Sequence, residues 1–171
     1  MAQRPGDIQY LMDRAAIHDL LARYFQGLDR CNPEQVRSCF TDDVQAHYDQ
    51  RPTTRGIEAL MDGFHTFKRM AEGRMKVTTH FMGNLNISRL EGDVAETETN
   101  AVAFLVAPGE GPEESEGQVA MRSLRYIDRM RRQQDGWRIS DRIHTLDWSC
   151  QIPANFAVTL AQRISALPGR R

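Results

Sequence analysis

These 171 residues contain no cysteine pair, no glycine-rich phosphate loop and no long apolar run, and each absence removes a class of protein. Cys31, Cys39 and Cys150 are an odd number without the spacing of a zinc or disulfide framework. They read as buried or incidental thiols of a reducing compartment. The longest apolar stretch, Ala101–Ala107, is far shorter than the roughly 20 residues that span a bilayer, and no apolar signal core opens the chain, so a cytoplasmic protein is expected. Charge of one sign is missing too. Lys and Arg number 22 against 23 Asp and Glu, so no overall field draws the chain to nucleic acid or anionic membrane, and a small neutral partner fits the balance. There is no G-x-S-x-G elbow, Walker loop, dinucleotide fingerprint or H-E-x-x-H. His47, His65 and His144 lack metal-ligand spacing and read as surface or core imidazoles. No metal or cofactor is demanded.

What is present is a change of period along one domain-sized chain. After Pro5-Gly6-Asp7, Ile8, Leu11, Ala15, Ile17, Leu20, Leu21, Tyr24 and Leu28 recur at helical spacing, which predicts a long amphipathic helix. Asn32-Pro33-Glu34 is an N-cap followed by a first-position proline, and predicts a short second helix through Cys39. Val44–Tyr48 suits a brief strand, and Ile57, Leu60, Met61, Phe64 and Phe67 predict a third helix over 56–70. From Met75 onward β-branched and aromatic residues dominate Lys76–Leu90, Val94–Ala107, Val119–Arg132 and Trp137–Ser149. Glu91-Gly92-Asp93 and Gln134-Asp135-Gly136 have hairpin chemistry, so these four strands should form an antiparallel meander. An acidic loop over 108–118 and a last amphipathic segment, Phe156–Leu167, complete an α+β domain.

Three positions invite a chemical reading. Asp29 ends the first helix, where the macrodipole disfavours a carboxylate by about 0.3–1 kcal/mol; it is either a solvated loop aspartate or the partner of a histidine. Strict alternation would put His80, Met82, Asn84 and Asn86 on one face of a strand, provided no bulge intervenes at Gly83, and His80 is either a structural donor or a base. The same alternation groups Arg138, Ser140, Arg142, His144 and Leu146. An inward Arg142 then either pairs with a neighbour such as Asp128 or stabilises an anion in a pocket.

Arg14-Ala15-Ala16-Ile17, Tyr24-Phe25-Gln26-Gly27-Leu28-Asp29 and Phe40-Thr41-Asp42-Asp43 resemble the opening of SnoaL-like proteins of the nuclear-transport-factor-2-like superfamily. Arg125-Tyr126-Ile127-Asp128-Arg129, Asp135-Gly136-Trp137-Arg138-Ile139 and Arg142 resemble its last two strands, so the likeness covers nearly all of 1–171 as a single domain. It implies a cone-shaped, cystatin-like fold: a curved antiparallel sheet closed by N-terminal helices around a deep, mainly apolar pocket. Members that resemble this chain, among them hexachlorocyclohexane dehydrochlorinase, bile-acid dehydratase and scytalone dehydratase, use a pocket His–Asp pair for elimination without a cofactor. Asp29 and His80 fall where that pair stands, with Tyr24 and Arg142 at positions that resemble further pocket residues.

The resemblance thus implies a lyase of the dehydratase type, or an isomerase, acting on a small hydrophobic ring compound such as a steroid or polyketide. His80 would be the base, Asp29 its orienting carboxylate, and Tyr24 or Arg142 the group facing the developing oxyanion. Phe25, Phe64, Met82, Phe104 and Trp148 are the candidates for the substrate-binding wall. A homo-oligomer, dimer or trimer, is implied as well. The alternative is a non-catalytic ligand-binding or assembly subunit, similar to the β subunit of a ring-hydroxylating dioxygenase.

Overall fold

The computed structural model describes residues 7–49, 51–109 and 117–154. In chain order these form α1 (Ile8–Asp29), α2 (Pro33–Arg37), β1 (Phe40–Tyr48), β2 (Thr54–Arg55), α3 (Ile57–Asp62), α4 (His65–Ala71), β3 (Val77–Glu91), β4 (Val94–Ala107), β5 (Gly117–Gln133) and β6 (Gly136–Ala154). The strands make one six-stranded sheet in the order β2-β1-β6-β5-β4-β3. The four long strands are the expected antiparallel meander, but β1 joins it parallel to β6. The fold is α+β, a cystatin-like curved sheet with helices against its concave face.

Helix α1 buries one stripe, Ile17, Leu20, Leu21, Tyr24, Phe25 and Leu28, against the sheet. Each such side chain contributes about 1.5–3 kcal/mol of transfer free energy, far more than the helix gains from propensity. Near its start Asp13 accepts from Arg132 Nη2 at 2.6 Å and Trp137 Nε1 at 3.3 Å, which ties the helix to the β5–β6 hairpin. Near its end Gly27 lets α2 cross closely: a Cβ there would stand 2.8 Å from Val36 Cγ2. Asn32 caps α2 by accepting the Gln35 N–H at 3.0 Å, with Pro33 in the first turn, as its sequence predicts.

Several boundaries differ from the sequence reading. Helix α2 stops at Arg37 and β1 begins at Phe40, because Cys39 O and Phe40 engage Ile139 of β6 and extend the strand. The single helix expected over 56–70 is two, α3 and α4, separated at Gly63-Phe64. Most of the acidic loop, 110–116, and the amphipathic segment Phe156–Leu167 lie outside the described residues.

The curvature comes from extra residues that the two-residue period does not reveal. Between Met82 and Leu85, β3 carries one residue more than β4 opposite it, and a Cβ on Gly83 would meet Asn100 O at 3.0 Å. His80 and Met82 therefore do not share a face with Asn84 and Asn86, which are exposed, while Leu85 and Ile87 take the inner positions. In β6 Ser140 is the extra residue opposite the Arg129–Met130 step, and Asp147 another near Ser123. The first of these puts Trp137 and Ile139 on the same buried side as Arg142 and His144, where strict alternation separates them.

Candidate active site

Between α1, α3, α4 and the concave face of the sheet lies a cavity of about 730 Å³. This is within the usual range for small-molecule sites. Its wall includes Tyr24, Phe64, His80, Ala103, Tyr126 and His144.

Asp29 is the last residue of α1, and the end of that helix packs against β3. Its carboxylate accepts twice from one residue: Oδ2 from the His80 backbone N–H at 2.8 Å, and Oδ1 from His80 Nδ1 at 2.6 Å. The helix end that would repel a lone carboxylate is thus compensated by two donors from the neighbouring strand. The His80 side chain is 8% exposed and its ring lies nearly parallel to Phe25, 5.7 Å between centroids. Thr78 Oγ1 lies 3.4 Å from the same Nδ1. With Nδ1–H given to Asp29, the tautomer assigned by that hydrogen bond leaves Nε2 as the basic nitrogen.

Tyr24 sits five residues before Asp29 on the same helix, with its hydroxyl 3.4 Å from that of Tyr48 at the end of β1. Burial pushes the Tyr24 phenol well above its ordinary range, so it stays a neutral donor. Arg142 lies behind it. That guanidinium is fully buried, donates Nε and Nη2 to Asp128 at 2.8 and 2.7 Å, and stacks over Tyr24 at 4.2 Å and Tyr126 at 4.7 Å. It does not line the cavity that holds His80. Of the two readings open in the sequence, the pair with Asp128 is the one found, and Arg142 supports Tyr24 from the rear.

His144 and Tyr48 join the wall from positions that drew no functional reading. His144 stacks against Tyr48 with 4.9 Å between centroids, and its Nδ1 is 3.5 Å from Asp49 Oδ1, without a hydrogen bond. Burial depresses its pKa to about 4, with Arg142 adding to the effect and Asp49 opposing it. Asp49 itself adopts φ 52 and accepts the Leu146 N–H at 2.7 Å. Among the described residues no three His, Cys, Asp or Glu side chains are grouped to hold a metal ion, and no helix is long and apolar enough to cross a membrane.

The SnoaL-like domain family matches residues 9–143. The chain belongs to this family. Its curated relatives include an uncharacterized protein of Mycobacterium tuberculosis, Rv2910c, 29% identical over 135 residues that cover 79% of this chain and 86% of that one. Among solved structures, a putative scytalone dehydratase from Novosphingobium aromaticivorans superposes with a TM-score of 0.71 at 18% identity, covering 82% of this chain and 88% of the other. A type 2 hexachlorocyclohexane dehydrochlorinase superposes at 0.70 with 20% identity, covering 96% and 100%. At these identities the two likenesses establish the shared fold.

Within this SnoaL-like chain the residues singled out from sequence separate into three groups. Tyr24, His80 and Phe64 line the cavity. Phe25, buried at 3%, and half-buried Met82 pack one layer behind, Phe25 against the His80 ring. Phe104 and Trp148 do not line it: the alternation of β4 turns Phe104 to the opposite face, and the extra residue at Asp147 leaves Trp148 in register with Ser123 and 51% exposed.

Proposed function

We propose that this SnoaL-like protein is a cofactor-free lyase of the dehydratase type, or an isomerase sharing its first step, acting on a small ring-containing molecule. The observation that carries the reading is the 2.6 Å contact between Asp29 and His80, residues of two elements, with the His80 ring in the wall of the cavity. An imidazole oriented by a carboxylate is a general base, and the carboxylate stabilises the imidazolium that proton abstraction creates. In a ligand-binding or assembly subunit the pair would serve only to tie the end of α1 to β3.

In this reading His80 Nε2 takes a proton from a carbon next to an activating carbonyl, and the C–H electron pair enters the ring as an enolate. The hydroxyls of Tyr24 and Tyr48 donate to the enolate oxygen, and burial keeps the Tyr24 phenol in the neutral form that this role needs. The enolate then expels hydroxide from the adjacent carbon, the imidazolium protonates it to water, and the base is restored. Return of the proton to a different carbon gives the isomer instead. Proton transfer of this kind accounts for about 10²–10⁴ of the acceleration, with positioning in the cavity supplying the rest.

The test is turnover of a steroid, polyketide and chlorinated-ring library by wild type, His80→Ala and Asp29→Asn. Losses of roughly 10²–10⁴-fold in both variants, with unchanged circular dichroism, are expected. Full activity in either variant sinks the proposal. The outer face of the sheet exposes Phe81 at 62%, Ile143 at 46%, Trp148 at 51% and Ile152 at 43%, which supports a homo-oligomer of this chain burying that face.

A further inference from the structure

The wall of the cavity grades from buried and apolar to exposed and cationic. Leu60, Met75, Ala103 and Leu124 are buried; around the open side stand Arg51, Arg55 and Arg122, all exposed, and half-buried Arg69. They come from four places: the segment before β2, β2 itself, β5 and α4. Against them the lining holds one carboxylate, Asp49, which already accepts the Leu146 N–H. Asp29, behind His80, is likewise committed to that residue.

Some arginines elsewhere, Arg14, Arg23 and Arg30, also have no ion pair among the described residues, but those on the strands of the sheet's outer face are paired. Arg125, Arg129, Arg131 and Arg132 each pair with Asp or Glu within 4 Å. Arg55 is held by Gln45 Oε1 at 2.6 Å. Arg51, Arg69 and Arg122 have no ion pair among the described residues, and all three border the cavity that contains His80. A chain with net charge −1 therefore gathers uncompensated guanidiniums around one opening. Low-dielectric walls focus such a field into the cleft, and each guanidinium offers a fork of donors matched to a carboxylate or phosphate.

We propose that the ligand of this cavity carries an oxyanion, a carboxylate or a phosphate group, held at the mouth by Arg51, Arg69 and Arg122 while its ring reaches His80. This names a substrate class for the lyase reading and rests on it. It also differs from the neutral partner that the balanced overall charge suggests, because the charge is distributed unevenly. Half-exposed ion pairs are individually weak, so several acting together are needed for a preference of roughly tenfold.

Isothermal titration of the full chain with 2-naphthoate, 2-naphthyl phosphate and the neutral 2-naphthamide tests it, on wild type and on an Arg69→Gln/Arg122→Gln double variant. At least one anion should bind wild type roughly tenfold more tightly than the amide, with an advantage that shrinks as salt rises. The better anion tells carboxylate from phosphate. In the double variant the advantage should fall to about twofold while amide affinity holds, which also shows that the cavity is intact. Equal binding of charged and neutral probes, an advantage that survives in the variant, or no binding of either anion at about 1 mM overturns the proposal. The anion preference should persist in His80→Ala. If that variant also keeps wild-type turnover, the lyase reading fails and the oxyanion site stands; loss of turnover with no anion preference gives the reverse.

Discussion

Arg142 shows at the scale of one residue how a chemically attractive position acquires a structural role. Its guanidinium and the Asp128 carboxylate are both 0% exposed in their side chains, and two hydrogen bonds join them. Removing one partner leaves the other charge buried alone, so Asp128→Ala should lose about 3–5 kcal/mol of stability in urea unfolding. A loss below about 1 kcal/mol would show that the pair is not the rivet the geometry describes. Sequence offered both roles and could not choose, since the choice depends on the extra residue at Ser140 that turns Arg142 toward Asp128. His144 is a second residue whose burial sets its behaviour. Its folded pKa is depressed to about 4, below the ordinary 6.5, so the unfolded chain binds the proton more readily. The stability it contributes is present above about pH 6.5 and is lost as pH falls toward 4, by up to roughly 3 kcal/mol at about 1.4 kcal/mol per unit. Unfolding midpoints at pH 7.5 and pH 4.5 should therefore differ less in His144→Gln than in wild type; an equal difference would contradict the burial argument.

At the scale of the element, the long regular pieces were legible and the irregular ones were not. Helix α1 and strand β4 match their sequence patterns because a single buried stripe or alternation runs through each from end to end. The split between α3 and α4, the length of β1 and the three or more bulges depend on contacts distant in sequence, such as Ile139 beside Phe40 or Asn100 beside Gly83. The extra residue at Asp147 turns Trp148 away from the cavity, the regular alternation of β4 does the same for Phe104, and the α3–α4 junction sets Phe64 in the wall. Tyr48 was missed for a related reason: it ends a strand whose parallel partner, β6, lies almost a hundred residues away in the chain. The α1–α2 crossing gives the element its own test. Gly27→Leu forces the side chain into Val36 and should cost about 1–3 kcal/mol, and it should lower turnover as well, because α1 carries both Tyr24 and Asp29. A variant as stable as wild type would mean that the two helices can separate freely.

At the scale of the whole molecule, the fold brings the first third of the chain to the last strands, and neither half holds the site alone. Helix α1 supplies Tyr24 and Asp29; the sheet supplies His80, Tyr126 and His144. The likeness to SnoaL-like proteins made the pairing of Asp29 with His80 readable from sequence, where a separation of 51 positions gave no local sign of it. The exposed apolar outer face predicts self-association: light scattering should give a mass of two or three times the 19.6 kDa chain, and a monomer at micromolar concentration would contradict it. The central claim is that His80, held by Asp29, removes a proton from carbon. It is tested most directly in D₂O, with ring compounds that occupy the cavity followed by mass spectrometry. Wild type should place deuterium at the activated carbon or release water, and His80→Ala and Asp29→Asn should do neither. Wild-type rates of exchange in either variant, or no exchange by wild type with any bound compound, would contradict the account.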